Sequence, residues 1–168
     1  PPLKLKYITI LICFVILKKK AHSGGNLYIY YGDKTIIFNR IYFPSNIDTQ
    51  FVPPGKDSLC IEITPVEQRY RDNPELLQNR IADDLVNVKL CRKEDIEALR
   101  FTIVENANPI YTLHYDRELH RLHTALEKVE NLRIAGRTGG FYNVLTDGAV
   151  KSALDVTEEL RMKHFQEG

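Results

Sequence analysis

The sequence predicts an α+β chain, an antiparallel or mixed sheet with flanking helices, closed by a C-terminal strand, glycine-rich turn and helix. Three observations carry that prediction. β-Branched and aromatic residues gather into strand-length runs at 7–17, 26–31, 35–42 and 58–64. Apolar residues recur at three and four positions in Leu77, Ile81, Leu85 and again in Leu119, Leu122, Leu126, Val129, which is the period of an amphipathic helix. Three glycines and an arginine fall within Gly136–Gly140, between a short apolar run and a helical one.

A chain of 168 residues with 43% hydrophobic content fits one domain, or one large piece of a longer protein, with a real core. Basic and acidic residues number 23 and 22, so there is no electrostatic case for nucleic acid. Cys13, Cys60 and Cys91 show no paired or CxxC spacing, which favours reduced thiols and hence a cytoplasmic compartment. The first residues, Pro1-Pro2, point to an excised segment or a processed chain.

Tyr7 to Leu17 is an unbroken apolar run. A membrane span needs about 20 residues, so this run is too short. A signal peptide shares its basic start and apolar middle, but Ile8, Thr9, Ile10, Ile12, Val15 and Ile16 favour a strand buried on both faces. Asn26–Tyr31 then reads as a strand, Gly32-Asp33 as a tight turn and Thr35–Tyr42 as its antiparallel partner, ended by Pro44. After a proline-containing loop over 46–55, Ser58–Thr64 alternates as a further strand with Leu59, Ile61 and Ile63 on one side.

Asn73-Pro74 marks a helix start, with Leu77, Ile81 and Leu85 buried and Asp83-Asp84 facing solvent. A helical turn over 94–99 and a strand over 100–105 follow, then an extended stretch over 107–115 broken by Pro109. Asp116 is the expected cap of the next helix. Leu132–Ala135 reads as a short buried strand, and Thr146 caps the last helix with Asp147 in its first turn.

The chemistry suggested by strand, glycine turn and helix start is anion binding. Glycine lets backbone approach a ligand, a helix start offers unpaired N–H groups and positive dipole, and Arg137 offers a planar fork of donors. Gly136, Gly139 and Gly140 do not fit G-x-G-x-x-G, so this is not the dinucleotide fingerprint. His114, His120 and His123 lack the carboxylate or Cys partners of a metal site, and no metal is expected. No nucleophile elbow is present either.

Gly136-Arg137-Thr138-Gly139-Gly140-Phe141, followed by Asp147-Gly148-Ala149, resembles the C-terminal flavin motif of the FAD-dependent amine-oxidase superfamily. The likeness is to its protoporphyrinogen-oxidase-like and UDP-galactopyranose-mutase-like members. Phe38-Asn39-Arg40-Ile41 before Pro44, Pro53–Lys56 leading to Glu62, and Asn108–Tyr111 resemble stretches of the same relatives. Two departures stand out: Val144-Leu145-Thr146 replaces Asn-Asn-Met, and Phe43 stands where relatives carry Glu.

The resemblance implies FAD as cofactor and the substrate domain of a Rossmann-type flavoprotein over 1–130. Residues 131–168 would then be the strand, Gly-Arg turn and helix that complete the FAD domain. It implies cofactor contacts at Gly136, Arg137, Gly139, Thr146, Asp147, Gly148 and Ala149, and a substrate pocket at Tyr28, Tyr30, Arg40 and Tyr111. The flavin does the redox work, so no protein nucleophile is expected. The partners implied are a missing N-terminal FAD-binding half and a small-molecule substrate. Without that half, apolar surface should be exposed at Leu132, Ile134, Val150, Leu154 or neighbouring residues, relieved by self-association. A flavin-dependent sugar mutase and a cofactor-free interaction domain are the alternatives.

Overall fold

The computed structural model describes residues 4–166, with side chains described through residue 162. The chain forms two compact units, one of residues 9–105 and one made from the residues before Thr9 together with those after Glu105. It is an α+β fold whose strands form one five-stranded sheet of order β2-β3-β4-β1-β5.

The sheet strands are β1 (Lys6–Leu17), β2 (Tyr28–Tyr30), β3 (Arg40–Tyr42), β4 (Asp57–Ile63) and β5 (Ile96–Ile110). β2, β3 and β4 make an antiparallel meander, and β1 pairs antiparallel with β4 across the register Leu11↔Ile63, Cys13↔Ile61, Val15↔Leu59. That register puts Leu11, Cys13, Val15, Leu17, Leu59, Ile61 and Ile63 on one fully buried face. The opposite face of β1 is only half-buried, and Phe14 is exposed. β1 is therefore one-sided rather than buried on both faces. Its β-branched run satisfies strand propensity, and burial is decided by which face receives a helix.

The 28–42 hairpin also differs from expectation. The chain leaves the ladder after Tyr30 and rejoins it at Arg40, so residues 31–39 form a long connection in place of a Gly32-Asp33 tight turn. Asp33 Oδ1 accepts from both the Thr35 N–H and hydroxyl at 2.8 Å, a local turn that competes with the ladder. The Ile37 N–H then bonds the Asp84 carboxylate at 2.8 Å.

Short helices follow: α1 (Pro44–Ile47), α2 (Gln68–Asp72) and α3 (Gln78–Asn87), the last led in by a 3₁₀ turn over Pro74–Leu77. Leu77, Ile81 and Leu85 pack on the sheet as expected. Asn73 precedes this start but makes no side-chain cap bond; its carbonyl accepts from Leu76 N–H instead. Asp83 faces solvent, but Asp84 is buried, 3% exposed. Its carboxylate is satisfied by Ile37 N–H and Arg80 Nε, which is what permits its burial.

The helical turn expected over 94–99 is confined to Lys93–Asp95, and Ile96 already belongs to β5. Pro109 does not break that strand. β5 lies at the sheet edge, where a residue without an N–H is tolerated.

In the second unit, α4 (Tyr115–Leu126) starts from His114 in the left-handed conformation at φ 68°, with Asp116 in the first turn rather than at the cap. α5 (Gly136–Gly139) is a single turn, and α6 (Thr146–Gln166) spans 21 residues. Thr146 is its first residue, so the cap position falls on Leu145, whose carbonyl accepts from Ala149 N–H. Leu132–Ala135 is not a strand: no described strand pairs with it, and Leu132 is 40% exposed. An apolar run forms a strand only beside another strand. Val150, Leu154 and Leu145 are exposed too, while Ile134 is half-buried.

Candidate functional site

Two regions carry the expected residues, one in each unit. In the 9–105 unit, Arg40 and Glu62 are direct cross-strand partners on β3 and β4. Arg40 Nη2 lies 2.6 and 2.7 Å from the two Glu62 carboxylate oxygens, Nε donates to Oε2 at 3.1 Å, and Nη1 donates to the Tyr30 hydroxyl at 2.8 Å. The guanidinium also sits over the rings of Tyr42, at 4.6 Å, and Tyr30, at 5.3 Å. Burial works against the Arg40 charge, but the bonds to Glu62 and Tyr30 outweigh it and lift its pKa further above the ordinary value. Tyr28 packs edge-on to Tyr30 and against Tyr42.

Tyr28, Tyr30 and Arg40 are thus brought together on the open face of the sheet, with Tyr42 and Glu62 completing the group. Alternation alone would have found Glu62 and Tyr42, since β3 and β4 place them on the same side as Arg40. The result is an aromatic platform around a neutralised cation, suited to flat or apolar contact more than to capture of an anion by Arg40.

In the other unit the glycine-rich turn is built around Phe141, which is 1% exposed despite a φ of 52°. Its ring is held by Tyr7 at 5.1 Å, Tyr111 at 6.0 Å and Tyr115 at 5.9 Å. Tyr111, expected in a substrate pocket, therefore buttresses this turn. Tyr7 was not anticipated, because 134 residues of chain separate it from Phe141 and no local pattern reports that contact.

Gly136 takes a φ of +73°, a conformation costly for any residue with a Cβ. Its N–H is already used, donating to Ser152 Oγ on α6 at 3.0 Å. A Cβ on Gly139 would lie 2.9 Å from Ile134 Cγ2, and one on Gly148 would lie 2.9 Å from Val144 Cβ. Those two glycines allow the turn and the start of α6 to close on their own neighbours. With Ala149 N–H bonded to Leu145, the helix donors left for a ligand come from Thr146, Asp147 and Gly148. Arg137 Nη2 donates to Asn143 Oδ1 at 2.6 Å, and its Nε is buried without an acceptor among the described residues. Beside the turn lies a cleft of about 1210 Å³ between α4 and α6, lined by His123, Leu126, Arg133, Tyr142, Ser152 and Val156 among others.

No family model matches the chain, and no curated protein does. Solved structures do. The fold is similar to that of a reduced UDP-galactopyranose mutase, with a TM-score of 0.70 at 20% identity, covering 83% of this chain and 30% of that one. It is similar also to a protein assigned as a protoporphyrinogen oxidase from Exiguobacterium sp. 255-15, with a TM-score of 0.69 at 14% identity, covering 95% of this chain and 36% of that one. The chain spans about a third of the length of these structures.

Proposed function

We propose that this chain is part of an FAD-dependent oxidoreductase of the amine-oxidase and protoporphyrinogen-oxidase-like kind. In this reading residues 1–130 serve as its substrate-binding domain and 131–168 contribute to an FAD site completed by a dinucleotide-binding half outside the chain. The observation that carries the reading is the shared fold, which takes in 83% and 95% of this chain in two structures about three times its length.

The residues present fit the cofactor. Arg137 keeps a buried Nε–H with no acceptor among the described residues, and an unpaired buried donor costs about 1–3 kcal/mol that an oxoanion would relieve. Arg137 and the first N–H groups of α6 would hold the negatively charged parts of FAD, helped by the dipole of a 21-residue helix. FAD, when bound, supplies the electron-accepting chemistry. The chain's own residues bind and orient: Phe141 and its surrounding tyrosines fix the turn that carries Arg137, and the open Tyr28, Tyr30, Tyr42 face offers flat apolar contact to a substrate.

A flavin-dependent sugar mutase is the second reading, favoured by the similarity to UDP-galactopyranose mutase. The test is the absorbance spectrum of the natural protein at its full length, with the 168-residue chain beside it. A flavin spectrum in the former, absent from the latter and weakened about tenfold or more in apparent FAD affinity by Arg137→Ala, supports the reading. Turnover of a nucleotide sugar would move the assignment to the mutase. A colourless protein that refuses added FAD would refute both and leave an interaction domain on this fold.

A further inference from the structure

We propose that Asn143 is a positioning residue for Arg137, holding its guanidinium oriented toward a diphosphate without cancelling its charge. The inference rests on the flavin reading above and says how that same site is set. Asn143 Oδ1 accepts from Arg137 Nη2 at 2.6 Å, a close contact in which the donor carries the charge.

The two residues are held in register by backbone. Tyr142 N–H donates to the Arg137 carbonyl at 3.2 Å, Gly140 N–H to the Gly136 carbonyl at 2.9 Å, and Phe141 N–H to the Thr138 carbonyl at 3.3 Å. Phe141, buried among three tyrosine rings, anchors the whole turn.

The chemistry of the acceptor is what distinguishes this arginine. Arg40 is neutralised by the Glu62 carboxylate at 2.6 Å, and Arg133 stands 3.5 Å from Glu159. Arg137 is held by an amide oxygen, which is neutral. A guanidinium has five N–H donors, and this contact uses one of them. An amide therefore fixes the rotamer and leaves the positive charge for a ligand, whereas a carboxylate in its place would fix the rotamer and consume the charge. Ordering a long side chain in advance strengthens binding about threefold to tenfold.

The experiment titrates inorganic pyrophosphate into the chain by calorimetry at low ionic strength, for the wild type, Arg137→Ala, Asn143→Ala and Asn143→Asp, with a thermal midpoint for each. The wild type should bind and Arg137→Ala should not. Asn143→Ala should weaken binding about threefold to tenfold. Asn143→Asp should weaken it further although its midpoint stays at or above the wild-type value, since the carboxylate keeps the bond to Arg137. A purely structural role for Asn143 would be met by Asp and would leave pyrophosphate binding intact. Wild-type binding in either Asn143 variant, or no binding by the wild type, overturns the proposal. If the pyrophosphate order holds while the full-length protein refuses FAD, the flavin reading falls and the anion site stands. If FAD binds and Asn143→Ala changes nothing, only the role of Asn143 falls.

Discussion

Asp84→Ala tests the reasoning about the long 31–39 connection. Asp84 is 3% exposed and accepts from the Ile37 N–H at 2.8 Å and from Arg80 Nε at 2.9 Å. Removing the carboxylate leaves a partly buried peptide N–H without an acceptor, at a cost of about 1–3 kcal/mol. The lost ion pair adds little, about 0–1 kcal/mol, because half of the Arg80 side chain is in water. The expected loss is about 2–3 kcal/mol, a fall of about 5–10 °C in thermal midpoint for a chain of this size. Urea unfolding followed by circular dichroism gives the free energy, and hydrogen exchange at Ile37 locates it: protection there should drop more than at Ile61 in the core. Asp84→Asn, which keeps one acceptor oxygen, should lose about half as much, or about 1–1.5 kcal/mol. A midpoint within about 1 °C of wild type, or unchanged exchange at Ile37, would refute the claim that this carboxylate holds the connection.

Three further outcomes are expected. Phe141→Ala should destabilise the unit containing the glycine-rich turn by about 3–5 kcal/mol, seen as lost thermal cooperativity and altered tyrosine fluorescence from the rings it touches. Burial pushes the Cys13 thiol up to about 12 and the Cys91 thiol up to about 11, so neither should react with a thiol reagent in the native chain at pH 8. With folded pKa values above the unfolded value of 9.0, their contribution to stability is full below about pH 9 and is lost as pH rises through the folded values. Cys13→Val should flatten that alkaline decline in a pH series of denaturation midpoints, and rapid labelling of wild-type Cys13 at pH 8 would contradict its burial. Val150, 54% exposed, and Leu154, 63% exposed, lie one turn apart on α6. The double change to Glu should lower any concentration-dependent association seen by sedimentation, and an unaltered profile would mean that this patch is not the contact.

Much of the fold is a local matter and was open to a sequence reading. The apolar stripe of Leu77, Ile81 and Leu85, the alternation of Leu59, Ile61 and Ile63, and the start of α6 after a glycine-rich turn each follow from side-chain period and backbone preference within a few residues. So does the glycine at 136, whose φ of +73° is the kind of conformation that residue is placed to supply. The grouping of Tyr28, Tyr30 and Arg40 on one face needed only strand alternation and antiparallel pairing.

What the sequence left undecided depends on partners far along the chain. Asp84 reads as a solvated helix carboxylate until Ile37 and Arg80 are seen to satisfy it. β1 looks buried on both sides because β-branched composition does not say which face a helix will cover. Leu132–Ala135 has the composition of a strand and is not one, because strand formation requires a pairing partner and no described strand lies beside it. Tyr7 reaches Phe141, and Asn143 meets Arg137, only through the tertiary arrangement of the turn. Periodicity and propensity therefore determined which segments are helical or extended in most of this chain. Tertiary structure decided which polar groups are buried, which face is closed and what holds Arg137, since those outcomes require an acceptor, an edge or a ring brought from elsewhere.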